Sequence, residues 1–324
     1  MTGARARRLL AGIWAANLFA ALLFGGIFFF RRFSSETESP LPLASPTPFS
    51  VSSPTPNPAL PTAYFLPTYT PNPHATEIVV VTPTPFALDA LAQRPLVIGY
   101  SVLGRPLEVY RFGAGERERF ILAGIHGGYE WNTVALAEEL IRYLSENPEV
   151  IPPDMTLYIL RDMNPDGEAR SHSYDGRVNE HGVDLNRNFP YHWKESWNLD
   201  GCWQYRPVTA GAYPASEPET VAVINFIHLH HIEAIISYHS AALGVFAGGD
   251  PPFEPSERLA ETISLRSGYQ YPPIDTGCEM TGDLTDWASS LEGIPAVDIE
   301  LLNHRDTDFE RNLRVLDAFL HWER

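Results

Sequence analysis

Three short apolar runs, each handing over to a histidine or a carboxylate, constrain this chain more than any other feature. Phe120-Ile121-Leu122-Ala123-Gly124-Ile125 runs directly into His126, and Ala234–Ser237 leads through Tyr238 to His239. The third, Ala296-Val297-Asp298-Ile299-Glu300-Leu301, carries two acids at a period of two, so Asp298 and Glu300 share one face of a strand. Runs this short and this apolar fit strands buried on both faces, which occur in parallel sheets covered by helices. Helical spacing lies between them. Val134, Leu136, Ala137, Leu140, Ile141 and Leu144 mark a helix over Thr133–Glu146. Glu217–His228 reads as a second helix, with Ser216 as its N-cap and Glu219 in the capping-box position. Phe309–Trp322 reads as the last. Strands are also expected at Val97–Ser101, Leu107–Phe112 and Met155–Leu160, the first two separated by Gly104-Arg105-Pro106. Strands alternating with helices imply an α/β domain: a three-layer α/β/α sandwich around a mostly parallel, mixed sheet. In open sheets of this kind, sites form at the carboxyl ends of the strands.

The domain is expected over residues 88–324. Before it lie two different materials. Residues 1–8 form a short tail containing Arg5, Arg7 and Arg8, and an uncharged run over 9–30 follows, closed by Arg31 and Arg32. At about 1.5 Å per helical residue that run reaches roughly the thickness of a bilayer core. It reads as a single transmembrane signal anchor. A cleaved signal peptide is the competing reading, but Phe28-Phe29-Phe30-Arg31-Arg32 stands where a small-residue cleavage site would be expected. Arginines on both flanks specify orientation weakly. Residues 31–87 are dominated by Pro, Ser and Thr, as in Ser45-Pro46-Thr47-Pro48 and Thr82-Pro83-Thr84-Pro85. Such a segment offers little apolar surface and favours extended conformations, so it reads as a disordered, semi-rigid stalk. The expected location is the cell membrane, single-pass, with the folded domain outside the cytoplasm.

Lys and Arg number 23 against 40 Asp and Glu, a formal net charge of −17. That balance argues against a nucleic-acid partner, which would want a basic face. Two cysteines, Cys202 and Cys278, allow one disulfide and exclude a cysteine-based zinc cluster.

The strand-end residues suggest a metal. In Ile125-His126-Gly127-Gly128-Tyr129-Glu130, an imidazole and a carboxylate share one loop directly after a buried strand. Zinc would take a nitrogen from His126 and an oxygen from Glu130, with one further ligand and an open position. His239 can supply that ligand; His230 and His231 are nearby alternatives. A single strand-end histidine is more often structural, and the pairing with a second one beside a carboxylate is what favours a metal. Glu300, at the third strand end, could exchange a proton with a reacting water and a leaving group. Finally, Arg177 and Arg187 lie in one stretch from Arg177 to Phe189, giving two guanidinium forks suited to oxygen anions.

Taken in order, His126…Glu130, Asn164-Pro165-Asp166-Gly167, Arg177-x-Asn179, Gly182-Val183-Asp184-Leu185-Asn186-Arg187-Asn188-Phe189, Ser237-Tyr238-His239-Ser240 and Ile299-Glu300-Leu301 resemble the carboxypeptidase A-like zinc metallopeptidase superfamily. The resemblance spans the globular part from Leu96 to Trp322. It implies one zinc ion held by His126, Glu130 and His239. It implies Glu300 as general base and then general acid, Arg177 as the group that stabilises the oxyanion, and Asn186 with Arg187 as the grip on a terminal carboxylate. The implied reaction is hydrolysis of a peptide bond next to that carboxylate, by water activated at the metal. A peptidoglycan stem-peptide endopeptidase or amidase is the alternative within the superfamily, and a non-catalytic ligand-binding domain is the alternative outside it. The substrate would be a peptide or a cell-wall peptide. The chain departs from the family pattern twice. Its first two ligands are spaced one residue wider than the usual His-x-x-Glu. No tyrosine stands in Thr276–Asp283, where digestive members carry a mobile one, so Gly282–Trp287 is expected to line the pocket instead. Cys202 and Cys278 would both border the site. A disulfide there fits an oxidising compartment, whereas two buried thiols would fit a reducing one.

Overall fold

The structure is a computed structural model that describes residues 94–202, 206–275 and 277–324. The expected anchor over 9–30 and the stalk over 31–87 lie outside the described residues. Among the described residues no helix is long and apolar enough to cross a membrane.

Seven strands form one sheet: β1 (Leu96–Tyr100), β2 (Pro106–Gly113), β3 (Arg117–Leu122), β4 (Met155–Leu160), β5 (Ile232–Ser240), β6 (Gly244–Ala247) and β7 (Ala296–Leu301). Six helices accompany them: α1 (Trp131–Glu146), α2 (Pro165–Arg170), α3 (Pro218–Leu229), α4 (Glu254–Ser267), α5 (Leu284–Ser290) and α6 (Phe309–His321). The strand order is β1-β2-β4-β3-β5-β7-β6. The central strands β4, β3, β5 and β7 pair in parallel, while β1–β2, β2–β4 and β6–β7 pair antiparallel. The sheet is therefore mixed, with parallel and antiparallel pairings balanced rather than mostly parallel. Short links that reverse the chain after β1, β2 and β5 are the reason, because a parallel return would need a longer crossover.

Both faces are covered, as the apolar strands require. On one face Leu136, Leu140 and Leu144 of α1, Leu259 and Ile263 of α4, and Val315 and Phe319 of α6 pack on Ile121, Ile236, Val297 and Ile299. On the other, Val223 and Phe226 of α3 and Leu284 and Trp287 of α5 pack on Phe120, Leu122, Ile235 and Ala296. The expected capping box of α3 does not form. Pro218 takes the first helical position and Glu217 becomes the N-cap. Glu219 is drawn instead into a buried polar cluster, where it accepts from the Val102 N–H at 3.0 Å and from Asn179 Nδ2 at 3.2 Å.

The parallel register does the work of placing the site. Leu122 pairs with Ser237, Ser237 with Asp298, and His239 with Glu300. The face that begins as apolar core at Ile235 and Ala296 thus turns polar toward the carboxyl ends, through Ser237 and Asp298 to His239 and Glu300.

The last helix is fastened by one buried cation. Arg119 of β3 is fully buried and donates to the carbonyls of Phe319 and Trp322, two acceptors at the C-terminal end of α6. Its guanidinium lies 5.2 Å and 5.7 Å from the centroids of those two rings. Burial, then the neighbouring Arg117, lowers its pKa to about 10. Replacing it by alanine removes two charge-assisted bonds and the packing of its stem. Arg119→Ala should cost about 2–4 kcal/mol in urea unfolding, and a loss below about 0.5 kcal/mol would show that α6 does not depend on this clamp.

Candidate metal centre and active site

Immediately after β3 the chain turns through His126 into a 3-10 turn, Gly127–Glu130. A Cβ on Gly128 would meet the Ser171 carbonyl oxygen at 2.2 Å, so glycine lets this turn pack against the loop after α2. The turn absorbs the extra residue and carries Glu130 back beneath His126. Glu130 Oε1 lies 2.8 Å from His126 Nδ1, and Glu130 Oε2 lies 3.2 Å from His239 Nδ1. The two Nδ1 atoms are 3.3 Å apart. Ligand atoms of all three residues fall within 4.8 Å of one another, and all three side chains are buried. His230 and His231 are not part of this cluster: His230 sits 3.3 Å from Glu118 near the start of β3.

The other nitrogen of each imidazole is already engaged. Asp184 Oδ1 lies 3.2 Å from His126 Nε2, and Ser237 Oγ lies 3.0 Å from His239 Nε2 with Asp298 Oδ1 at 3.4 Å. Such partners fix ring orientation and direct Nδ1 at a metal. Burial would raise the Glu130 carboxyl, but His126 and His239 outweigh it and hold the group far below the usual range. His239 is the converse case: burial opposes its charge, and Asp298 and Glu130 outweigh burial and raise it well above the ordinary value. Two nitrogens and a carboxylate converge here in a nest that favours positive charge, which fits a single divalent cation.

Glu300 stands beside His239 across the β5–β7 pair and accepts from the Ala242 N–H at 2.9 Å. Burial is the largest cause pushing its carboxyl up to about 7, with His239 opposing and Glu130 and Asp298 adding. Arg177 follows a 3-10 turn, Tyr174–Gly176, and its carbonyl accepts from Asn164 Nδ2 at 3.1 Å. Its Nε donates to Asp184 Oδ2 at 2.9 Å, and its Nη1 lies 3.6 Å from Glu130 Oε1. Asn186 and Arg187 occupy a third 3-10 turn, Leu185–Arg187. Asn186 Oδ1 accepts from the Leu284 N–H at 3.0 Å, tying the turn to α5. Arg187 is 4 % exposed, and its Nη1 donates to the Asn186 carbonyl at 2.7 Å. Its Nε has no hydrogen-bond partner, and among the described residues no carboxylate lies within ion-pair distance of it.

All seven residues singled out by sequence line one cavity of about 630 Å³. Cys202 and Cys278 also line it and are joined as a disulfide with a Cα–Cα distance of 4.5 Å. Asp283, Thr285 and Asp286 line it as expected of the Gly282–Trp287 segment, while His304 is an unforeseen member. The residue that sequence reasoning passed over is Asp184, which touches both His126 and Arg177. Its signal was present, in the same Gly182–Phe189 motif, but without coordinates no chemistry distinguished it from a solvated loop acid.

The zinc carboxypeptidase family matches residues 92–311. The chain belongs to the zinc carboxypeptidase family. Murein peptide amidase A of Escherichia coli K12 is 32 % identical over 204 residues, covering 60 % of this chain and 75 % of that protein. Mast cell carboxypeptidase A of Rattus norvegicus is 31 % identical over 229 residues, covering 60 % of this chain and 55 % of its own length. Among solved structures, murein-tripeptide amidase of Escherichia coli O157 superimposes with a TM-score of 0.54 at 25 % identity, over 72 % of this chain and 93 % of that one. The zinc carboxypeptidase assignment and the converging donor set agree on the cofactor, one zinc ion, with His126, Glu130 and His239 as the group able to hold it.

Because Asp184 orients His126, Asp184→Asn should weaken zinc binding by about 10–100-fold in competition with a chromogenic chelator. Unchanged zinc affinity would remove Asp184 from the metal centre.

Proposed function

We propose that the protein is a zinc metallocarboxypeptidase, which hydrolyses a peptide bond next to a free C-terminal carboxylate. The observation that carries this reading is Arg187, a buried guanidinium in the cavity of the metal centre with no carboxylate of its own. A buried charge without a counterion is costly, and a substrate carboxylate supplies the missing partner in the bidentate geometry that arginine favours. Asn186, held by α5, sets the turn that aims it.

The other residues then divide the chemistry. Zinc, when bound, supplies Lewis acidity to the reacting water and carbonyl. Glu300 takes a proton from the attacking water at its carboxylate and delivers it to the leaving amine, and its raised pKa suits both steps. Arg177, beside Glu130, donates to the oxygen that becomes negative as the carbonyl is attacked. Asp184 holds the Arg177 guanidinium in place while steadying His126. Burial disfavours charge on the Asp184 carboxyl, but Arg177 and His126 prevail and keep it ionised.

A second reading has its own support: the similarity to a murein peptide amidase favours action on peptidoglycan stem peptides. Display outside the cytoplasm belongs with either reading. It is supported by the uncharged run over 9–30, the proline-rich segment after it, and the Cys202–Cys278 disulfide.

A digest of a peptide library with free or amidated C-termini tests the exopeptidase reading. Release of single C-terminal residues, lost on amidation, is expected; cleavage indifferent to amidation would overturn it, and cleavage of muropeptides alone would favour the stem-peptide reading. In the same assay Glu300→Gln should lower kcat by about 10²–10⁴-fold while zinc content stays stoichiometric. Arg187→Ala should act chiefly on KM for substrates with a free carboxylate.

A further inference from the structure

Two chain segments meet beside the turn that carries Arg187. One, residues 189–202, follows that turn; the other, residues 278–283, leads into α5. Backbone joins them at the root. The Phe189 N–H donates to the Gly282 carbonyl at 2.8 Å, and the Gly282 N–H donates to the Tyr191 carbonyl at 3.0 Å. A Cβ on Gly282 would meet the Arg187 carbonyl oxygen at 2.4 Å, so the second segment lies directly on the turn there. Further out, Lys194 pairs with Glu279, and the Asn198 N–H donates to Glu279 Oε2 at 3.3 Å. The Cys202–Cys278 disulfide joins the tips.

Each segment lays one apolar side chain on the Arg187 guanidinium. Trp197 has its ring centroid 5.5 Å away, and Met280 has its Sδ 3.6 Å from Nη2. Met280 is 44 % exposed while Arg187 is 4 % exposed, so the thioether is a layer between the guanidinium and bulk water. Low-dielectric walls strengthen the attraction between a guanidinium and an entering carboxylate, and water admitted between them weakens it. The outer halves of the segments have little else to hold them. Lys194 and Glu279 both reach solvent, where an ion pair is screened and adds little. Cys202 and Cys278 both lie beyond the Tyr191–Gly282 bond, so without a covalent link the outer stretch is free to open locally.

We infer that the Cys202–Cys278 disulfide is a positioning element for substrate binding: it fastens Trp197 and Met280 on Arg187 and so sets the affinity for the substrate's carboxylate. The inference rests on the carboxypeptidase reading, in which Arg187 receives that carboxylate. The effect falls on binding rather than on bond-breaking. His126, Glu130, His239, Glu300 and Arg177 all stand outside the two segments, on the ends of β5 and β7 and on the turns after β3 and α2. Opening the disulfide leaves them in place. The protein thus binds its substrate fully only where the disulfide persists, which is an oxidising compartment.

The test uses the 324-residue chain loaded with zinc and a tripeptide with a blocked amino terminus and a free carboxylate. A trialkylphosphine opens the disulfide: the S–S bond breaks, each sulfur ends as a thiol with a proton from water, and the phosphine takes up the oxygen of that water as its oxide. Unlike a dithiol, the phosphine brings no sulfur ligand to the metal. Reduction should raise KM about tenfold, by loss of a preorganised and desolvated contact, while kcat stays within about twofold and zinc content is unchanged. The variant carrying both Cys202→Ser and Cys278→Ser should show the raised KM with or without phosphine. Trp197→Ala, with the disulfide intact, should raise KM in the same direction. A KM that does not move on reduction overturns the inference and leaves the carboxypeptidase reading standing. So does a fall in kcat with KM unmoved, or a phosphine effect that persists in the double variant. If the serine variants do not fold, reduction of the folded wild-type chain decides alone. If no peptide with a free carboxylate is cut, the carboxypeptidase reading falls, and modification of Arg187 by an α-dicarbonyl reagent, located by peptide mass, decides this one. Modification about tenfold faster after reduction reports local opening and supports the fastened cover; an equal rate overturns it.

Discussion

The molecule depends on the parallel register of β3, β5 and β7. Because these strands run the same way, their carboxyl ends arrive at one edge, and one face of each supplies chemistry there. His239 and Glu300 are direct partners across a strand pair, and Ser237 and Asp298 are the pair before them. A slip of one residue would exchange that face for Tyr238 and Ile299, which belong to the opposite core. The apolar packing of α1, α4 and α6 on one side and α3 and α5 on the other thus fixes the geometry of the site as well as the stability of the fold. His126 and Glu130 come from the loop after β3, and the 3-10 turn lets them meet His239 without altering the register.

Charge balance is the second constraint. The site gathers more negative groups than its cations can neutralise, and it does so where water is scarce. Glu130 and Asp184 remain ionised because histidines and Arg177 surround them. At Asp283 and Asp286 burial and the neighbouring acids prevail, Arg187 opposing them only in part at Asp283, and both groups are shifted the other way. One cavity therefore holds carboxylates driven in opposite directions by their neighbours, as is expected where a metal and a charged substrate are to be received. The wider His126–Glu130 spacing is the departure from the family pattern that bears on metal binding. With the 3-10 turn bringing both residues to the same cluster, that feature no longer counts against metal binding.

Much of this was legible in the chain because burial leaves a plain mark. Continuous apolar runs identified β3, β5 and β7, and the periodic leucines identified α1. Helix α4 was not read, since Leu259 and Ile263 are its only large core residues and Glu254-Pro255-Ser256-Glu257 looks like a loop. Strand β6 is too short to show alternation. His126, His239 and Glu300 were visible at strand ends, Glu130 in the loop beside His126, and Arg177 and Arg187 as two guanidinium forks in one stretch, while Asn186 came with the family resemblance. What the sequence could not show was pairing. Asp184 and Asp298 are ordinary acids until the fold places them against imidazoles. Glu219 satisfied a capping rule on paper, yet its carboxylate is held by Asn179 and the Val102 N–H, contacts more than 30 residues distant in the chain.

The two arginines show how pairing separates like residues. They lie ten positions apart in one motif, are equally buried, and face the same cavity. Arg177 has a fixed carboxylate in Asp184, so its charge is already compensated and its geometry is held. It can add a hydrogen bond to a developing oxyanion without needing a counterion in the resting state. Arg187 has backbone, a thioether and the Trp197 ring around it, with the ring centroid 5.5 Å away, but no acid in contact. Burial, the largest cause, lowers its pKa together with Arg177, against the opposing charges of Asp184, Asp283 and Asp298. Its charge is stabilised most when a carboxylate enters. A group compensated beforehand suits the transition state, and a group compensated only by the ligand suits binding. That asymmetry follows from the contacts of Asp184, which pairs with Arg177 and His126 and leaves Arg187 outside ion-pair distance.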